Sequence, residues 1–299
     1  MNFVGVRRKF FTLSAILIGL SIIMLIGPGL NLGIDFTGGT IMERRVDQPV
    51  TVESLRDVLT NDLANLEISN AVIQRLDRHN EFIVRTRDLS TDEVARVNEA
   101  LDQAFGGLEE RRTEMVGPVI GRELVAKALW ALFFAALGIL AYVSLRFEYR
   151  YAVAAIVAVL HDVIIVLGLF ALTGREINSP FVAAILTVVG YSINDTIVIF
   201  DRVRENVRFR KKEGYDEIVN KSLNQTLSRS INTSVTTLFV VTLLFVFGGA
   251  SISDFAFALV VGVLAGTYSS IFVASPVWLE WVLASQRKRH SQLVTSKSN

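Results

Sequence analysis

The sequence predicts an α-helical membrane protein of six transmembrane helices with one α+β domain inserted between the first and second. Three observations carry that reading. Of 299 residues, 51% are hydrophobic and only 20% charged, with a mean hydropathy of +0.45, a balance too apolar for an ordinary water-soluble domain. Six stretches approach the roughly 20 apolar residues that a spanning helix needs; they cover residues 10–26, 124–145, 151–172, 180–200, 231–247 and 255–282. Between the first two lies a polar segment, residues 29–121, whose periodicity alternates between that of strands and that of helices.

The first stretch follows "RRK" (Arg7 to Lys9), as a secretion signal would. Its apolar run is too long for a signal core and no small-residue cleavage site follows, so residues 1–28 are expected to remain as an N-terminal segment and first helix. In the insert, "TIMERRV" (Thr40 to Val46) reads as a strand, and "TVESLRDVLTNDL" as a helix capped by Thr51 with Val52, Leu55, Val58 and Leu59 at helical spacing. "ISNAVIQRL" and "EFIVRTR" alternate as two strands around the turn-like "DRHN" at residues 77–80. "STDEVARVNEALDQAF" opens with a Ser90–Glu93 capping box and sets Val94, Val97 and Leu101 on one face; "LEERRTEMV" is a closing strand. This βαββαβ order is the split βαβ, or ferredoxin-like, arrangement, with Gly38–Gly39 and Gly117–Pro118 as turns at its ends.

Charge sets the orientation. Arg7, Arg8 and Lys9 precede the first span, and Arg146 and Arg150 join the second to the third. Arg202, Arg204, Arg208, Arg210, Lys211, Lys212, Lys221 and Arg229 gather around the fourth-to-fifth connection, and Arg287, Lys288 and Arg289 follow the last span. The opposite connections carry Arg175 alone or, in "GGASIS", no basic residue. The positive-inside rule therefore places both termini in the cytoplasm and the insert outside. Asp201, Glu205, Glu213, Asp216 and Glu217 dilute the basic loop, so it reads as an orientation signal and no nucleic-acid partner is expected. Residues 122–283 complete the helical bundle, and residues 284–299 form a tail expected to be disordered.

The chain has no cysteine and shows no Walker loop, nucleotide fingerprint, Ser-His-Asp order or HExxH, so neither an enzyme nor a metal or cofactor site is expected. Its chemistry lies in the polar residues at membrane depth. A lone carboxylate there costs roughly 2.5–3.5 kcal/mol on insertion scales, and normally faces protein or water. "LTVVGYSINDTIVIF" (Leu186 to Phe200) carries Asn194 and Asp195; Thr187, Tyr191 and Asp195 are spaced by four, with Ser192 three before the aspartate. In the fifth span Arg229, Asn232, Thr233, Thr236 and Thr237 form one stripe, and an Asp195–Arg229 encounter is the expected arrangement. Two roles stay open: a structural ion pair supported by hydroxyl contacts, or a carboxylate whose proton is exchanged across the membrane, which the length of the stripe favours. Asp162, beside His161, has only Val159, Ala158, Ile165 and Val166 at helical spacing, so it must pair with another helix or chain, or hold its proton; relay and packing partner are both open. The other histidines, His79 and His290, fall outside the bilayer, which argues against a metal at His161. Gly262 and Gly266 mark a close helix contact.

These motifs resemble a known family. "LGIDFTGGT", with Gly33, Asp35, Phe36, Gly38 and Gly39, is followed by Gly117–Pro118, "TVVGYSINDTIVIFDRVREN" (Thr187 to Asn206) and "SRSINTS" (Ser228 to Ser234). In that order they are similar to the signatures of the SecD/SecF family, in the resistance–nodulation–division superfamily. The resemblance implies an accessory subunit of the bacterial Sec protein translocase in the cytoplasmic (inner) membrane. It also implies a six-helix half that pairs with SecD beside the SecYEG channel, with or without an accessory insertase, and draws preproteins outward with the proton gradient. Protons are then the coupling ion, and lipid and preprotein the other contacts. Asp195 would be the family's membrane aspartate and Arg229 its basic residue opening the fifth span; Ser230 stands where a threonine is expected. The alternatives are half of a proton-driven small-molecule exporter of the same superfamily, and a passive scaffold of a translocation channel, which alone would tolerate loss of Asp195.

Overall fold

A computed structural model describes residues 1–76 and 80–297. Among them six helices are long and apolar enough to cross a membrane: Val4–Ile26, Pro118–Arg146, Tyr149–Thr173, Ser179–Arg208, Tyr215–Phe247 and Ile252–Lys288. The chain divides into two units, one of Met1–Asn31 with Trp130–Asn299, the other Leu32–Leu129.

In the Leu32–Leu129 unit a short helix α2 (Ile34–Thr37) leads into strand β1 (Gly39–Arg45). Then come helix α3 (Val52–Asp57), strands β2 (Val72–Leu76) and β3 (Glu81–Thr86), helix α4 (Thr91–Phe105) and strand β4 (Glu109–Val116). The sheet order is β2-β3-β1-β4, and every pairing is antiparallel, Met42 lying opposite Val84 on one side and Thr113 on the other. Met42, Phe82 and Val84 from the sheet meet Leu55, Leu59, Val97 and Leu101 in one core. Both helices start where the sequence places their caps: Thr51 and Ser54 bond reciprocally, as do Ser90 and Glu93. The first of them is shorter than predicted, passing into a wider turn over Val58–Asp62 and ending where Glu67 takes a left-handed backbone at φ 50°. Arg44, fully buried, donates to Asn98 Oδ1 at 2.8 Å, to the carbonyls of Glu43 and Arg112 at 3.0 and 2.8 Å, and to Thr113 Oγ1 at 2.8 Å. Such a charge is tolerated in a core only because every face of the guanidinium is occupied. Most of the expected "DRHN" turn, including His79, falls outside the described residues.

The other unit contains α1 (Arg7–Ile26), the later part of α5 (Pro118–Arg146), α6 (Tyr149–Thr173), α7 (Ser179–Arg208), α8 (Tyr215–Phe247), α9 (Ala250–Ser269) and α10 (Ser275–Lys297). Helix α7 is central, packed on α6, α8 and α9. Glycines on α9 allow the closest of these approaches. A Cβ at Gly262 would strike the Val188 side chain, and one at Gly266 would lie 3.1 Å from Ser192 Cβ. At one end of the core Tyr151 stacks on Trp278 with centroids 4.7 Å apart and meets Phe200 edge to face at 5.0 Å. The apolar faces of α5 and α8, with Trp130, Phe133, Phe134, Phe239 and Val240, lie open, as they can where lipid or another membrane chain is the surroundings.

Between α9 and α10 the helix widens over Ser270–Ala274. Pro276 explains the break, since it has no N–H for the carbonyl one turn earlier. The Ser275 hydroxyl, just before the proline, donates to the Ser270 carbonyl at 3.0 Å. Beyond it, α10 continues to Lys297 through the tail that the sequence predicts to be disordered. No glycine or proline after Pro276 stops it.

Candidate functional site

Helix α7 is positioned at its start by Asn178, whose side-chain oxygen accepts from the Phe181 N–H at 3.0 Å, with Pro180 in the first turn. Its buried row, Ala184, Ile185, Val188, Ser192, Asp195 and Ile199, follows helical spacing and carries two polar side chains into an otherwise apolar interior. Each joins a different buried cluster.

The first cluster is built on Asp195, only 7% exposed. Its Oδ1 accepts a 2.6 Å hydrogen bond from the Ser230 hydroxyl of α8, and its Oδ2, also buried, has no partner among the described residues. One turn further along α8, Ser234 donates to the Ser230 carbonyl at 2.8 Å, lies 2.6 Å from Thr267 Oγ1 of α9, and accepts from the Tyr191 hydroxyl at 3.2 Å.

The direct contact of Asp195 is with this serine; no Asp195–Arg229 ion pair lies within 4 Å among the described residues, although the guanidinium is near enough for its charge to act on the carboxylate. Residues 229 and 230 differ by about 100° around the helix, and the serine is the one that faces α7. Arg229 is exposed and makes no ion pair within 4 Å among the described residues. Asn194, Asn232, Thr233 and Thr236 are likewise exposed, and Thr237 is half-buried. The hydroxyls of Thr233, Thr236 and Thr237 each donate to the carbonyl four residues earlier at 2.9 Å. The inward row of α8 is Thr226, Ser230 and Ser234, all buried. Their spacing of four was legible in the sequence, but the more polar neighbouring stripe masked it.

The second cluster surrounds Asp162 of α6, which finds its partners on other helices. Oδ2 accepts from Ser192 of α7 and from Ser269 of α9, each at 2.7 Å, and Oδ1 lies 3.0 Å from His161 Nδ1. Ser192 thus serves Asp162 rather than Asp195. His161 stacks on Tyr268 at 5.8 Å, and the Tyr268 hydroxyl donates to the Phe10 carbonyl at 3.1 Å and sits 2.9 Å from Ser14 Oγ. The widened turn after α9 brings Ser270 to Thr196 at 2.8 Å beside the same cluster. Asp162 is held by three neighbouring side chains and pinned between helices, whereas Asp195 is held by one hydroxyl and its second oxygen is buried without a partner among the described residues.

The glycine-rich segment serves packing. Gly38 and Gly39 have φ of 76° and 137°, a region that suits glycine. A Cβ at Gly38 would lie 2.9 Å from Pro118 Cα, and one at Gly121 3.1 Å from the Phe36 carbonyl oxygen. Gly33 is buried, and Asp35 and Phe36 are half-buried on α2.

Comparison with known proteins places this arrangement among relatives. The family model "Protein export membrane protein SecD/SecF, C-terminal" matches residues 96–284, and "SecD/SecF GG Motif" matches residues 23–50. The chain is 43% identical over 298 residues to a protein translocase subunit SecF of Calditerrivibrio nitroreducens, covering 97% of this chain and 96% of the relative. It is 39% identical to the protein translocase subunit SecDF of Bacillus subtilis, covering 97% of this chain but 39% of that longer protein. A crystal structure of SecDF, a translocon-associated membrane protein from Thermus, superposes with a TM-score of 0.86 at 40% identity, over 94% of this chain and 38% of that one.

Proposed function

The chain belongs to the SecD/SecF family of protein export membrane proteins, and from that premise we propose that it is a proton-coupled subunit of the Sec translocase. In this reading it works as one six-helix half beside a SecD half, with both termini in the cytoplasm, and promotes preprotein export at SecYEG. One observation carries the coupling: Asp195 is a buried carboxylate at membrane depth held by a single hydroxyl. A group so placed is costly unless it has work to do.

The partner follows from the same helices. Arg229, Asn194 and Asn232 are exposed on this chain, and lipid is a poor surrounding for them, so a second membrane half is the natural cover. The fused relatives, in which this chain matches about two fifths of the length, support that reading. The strand and helix order of the Leu32–Leu129 unit supports a ferredoxin-like domain, and the positive-inside charge pattern supports its lying on the outer side, where it would meet emerging polypeptide.

Two experiments test this. Purification from native membrane should bring SecD with the chain. Photocrosslinkers along residues 40–116 should capture a stalled translocating polypeptide; capture of lipid or small solutes alone would reject protein cargo.

A further inference from the structure

We propose that a recess between α1 and α6 holds one acyl chain of an anionic phospholipid of the inner leaflet, with Arg8 and Arg150 on its phosphate. The site is independent of proton coupling and uses only the orientation set by the basic residues.

The recess encloses about 350 Å³, within the range of about 300–1,000 Å³ common for ligand sites. Phe11, Ala15 and Ile18 of α1 line one wall, and Leu160 and Ile164 of α6 the other. Its two polar lining residues are engaged elsewhere. Ser14 Oγ lies 2.9 Å from the Tyr268 hydroxyl, and His161 Nδ1 lies 3.0 Å from Asp162 Oδ1, with Nε2 also buried. An occupant therefore meets hydrocarbon, and a cavity lined in this way stays dry. At the rim Leu160 is 55% exposed, so the recess opens sideways at spanning depth, where acyl chains lie.

Charge at the cytoplasmic end selects the lipid. Arg8 precedes Phe11 by three residues and Ala15 by seven, and Arg150 precedes Val153 and Val157 by the same steps. Each thus stands on the helix face that lines the recess. Arg7 is taken by Glu280 at 2.7 Å and Asp216 at 3.8 Å. Arg8 is exposed, and Arg150 donates to the Tyr149 hydroxyl at 3.3 Å; neither makes an ion pair within 4 Å among the described residues. A phosphate matches such guanidinium forks. Trp281, one turn beyond the lining Val277, meets Tyr149 edge to face at 5.8 Å, as suits rings at the headgroup level. A protein cover is less suited here, since Asn194, Asn232 and Arg229, which call for a second membrane half, belong to α7 and α8.

The test is photolabelling of the complex purified from native membrane and reconstituted in phosphatidylcholine vesicles. A trace of phosphatidylglycerol, or of phosphatidylcholine, would carry a photoactivatable group on one acyl chain, and labelled residues would be mapped by peptide mass spectrometry. Phosphatidylglycerol should label the recess walls severalfold more than phosphatidylcholine does. Leu137, on the open face of α5, should take both equally and so reports ordinary lipid contact. Arg8→Gln combined with Arg150→Gln should lower recess labelling by phosphatidylglycerol to the phosphatidylcholine level. Ala15→Phe, which fills the recess, should remove labelling by both; if it fails to assemble, Leu160→Trp at the rim gives the same reading. Equal labelling of the native recess by the two lipids would mean annular lipid only and overturn the site. Unlabelled walls, or walls crosslinked to another protein, would overturn it in favour of a closed recess or a protein cover. Labelling reports binding whether or not Asp195 titrates, so its failure would leave the proton reading untouched.

Discussion

Ser230 and Asp195 share a 2.6 Å hydrogen bond across the seam between α7 and α8, while Arg229, one residue earlier on α8, lies on the exposed side. A hydroxyl can donate to the ionised carboxylate and accept from the protonated one, so this contact survives either state. A guanidinium could only donate. The bond is thus suited to a carboxylate that changes charge.

Ser230→Ala should therefore cost more than its small size suggests. It leaves both oxygens of a buried carboxylate without a partner among the described residues, a loss of about 1–3 kcal/mol. Chemical denaturation of the purified protein should show that loss, with gradient-stimulated transport reduced. Ser230→Thr, which keeps the hydroxyl, should retain both. Equal behaviour of the two variants would mean that the hydroxyl is idle.

Asp162 should respond differently, because it joins three helices rather than waiting on one. Ser269→Ala removes one of its two serine donors, and a loss of about 1–3 kcal/mol is expected. Asp162→Asn should destabilise the bundle and reduce transport only in proportion to the folded fraction. Measuring export per assembled complex checks this; a well-assembled Asp162→Asn complex without export would move Asp162 from anchor to relay.

Outside the membrane, Glu93 offers a pH test. Its hydrogen bonds to Arg87 at 2.7 Å and to the Ser90 N–H at 2.8 Å hold the carboxyl near a pKa of about 2, against an ordinary 4.5. The folded value lies below the unfolded one, so the contribution to stability is present above pH 4.5 and is lost as pH falls towards 2. Amide exchange in the first turn of α4 should accelerate across that window, and Glu93→Gln should flatten the dependence. An unchanged pH profile in the variant would assign the effect to other carboxylates.

Much of the architecture could be read from the chain because its signals are local. Six apolar runs of bilayer length, and caps such as Ser90 with Glu93, need no knowledge of neighbours. Helix phase at the site was harder. The stripe through Arg229 and Asn232 is the more polar, and polarity alone suggested an inward face, yet the row that packs on α7 is the milder Thr226, Ser230 and Ser234. Polar residues on a membrane helix point towards protein, but the sequence does not say whose protein. Partners of Asp162 were equally hidden, since Ser192 and Ser269 lie 30 and 107 residues away. The buried Arg44 gave no signal within its strand "TIMERRV", where it looks like one more alternating charge.

The central claim is that Asp195 carries the proton that drives the work cycle. One charge moved through 100 mV supplies about 2.3 kcal/mol, enough to bias a two-state rearrangement of helices. The direct measurement is preprotein export and proton flux in vesicles with an imposed gradient, comparing the native complex with Asp195→Asn. The amide is nearly isosteric and still accepts from Ser230, but it cannot ionise. Normal assembly with loss of gradient-stimulated export and flux is the predicted result. Near-normal export by Asp195→Asn would contradict the account and leave the carboxylate as a structural contact between α7 and α8.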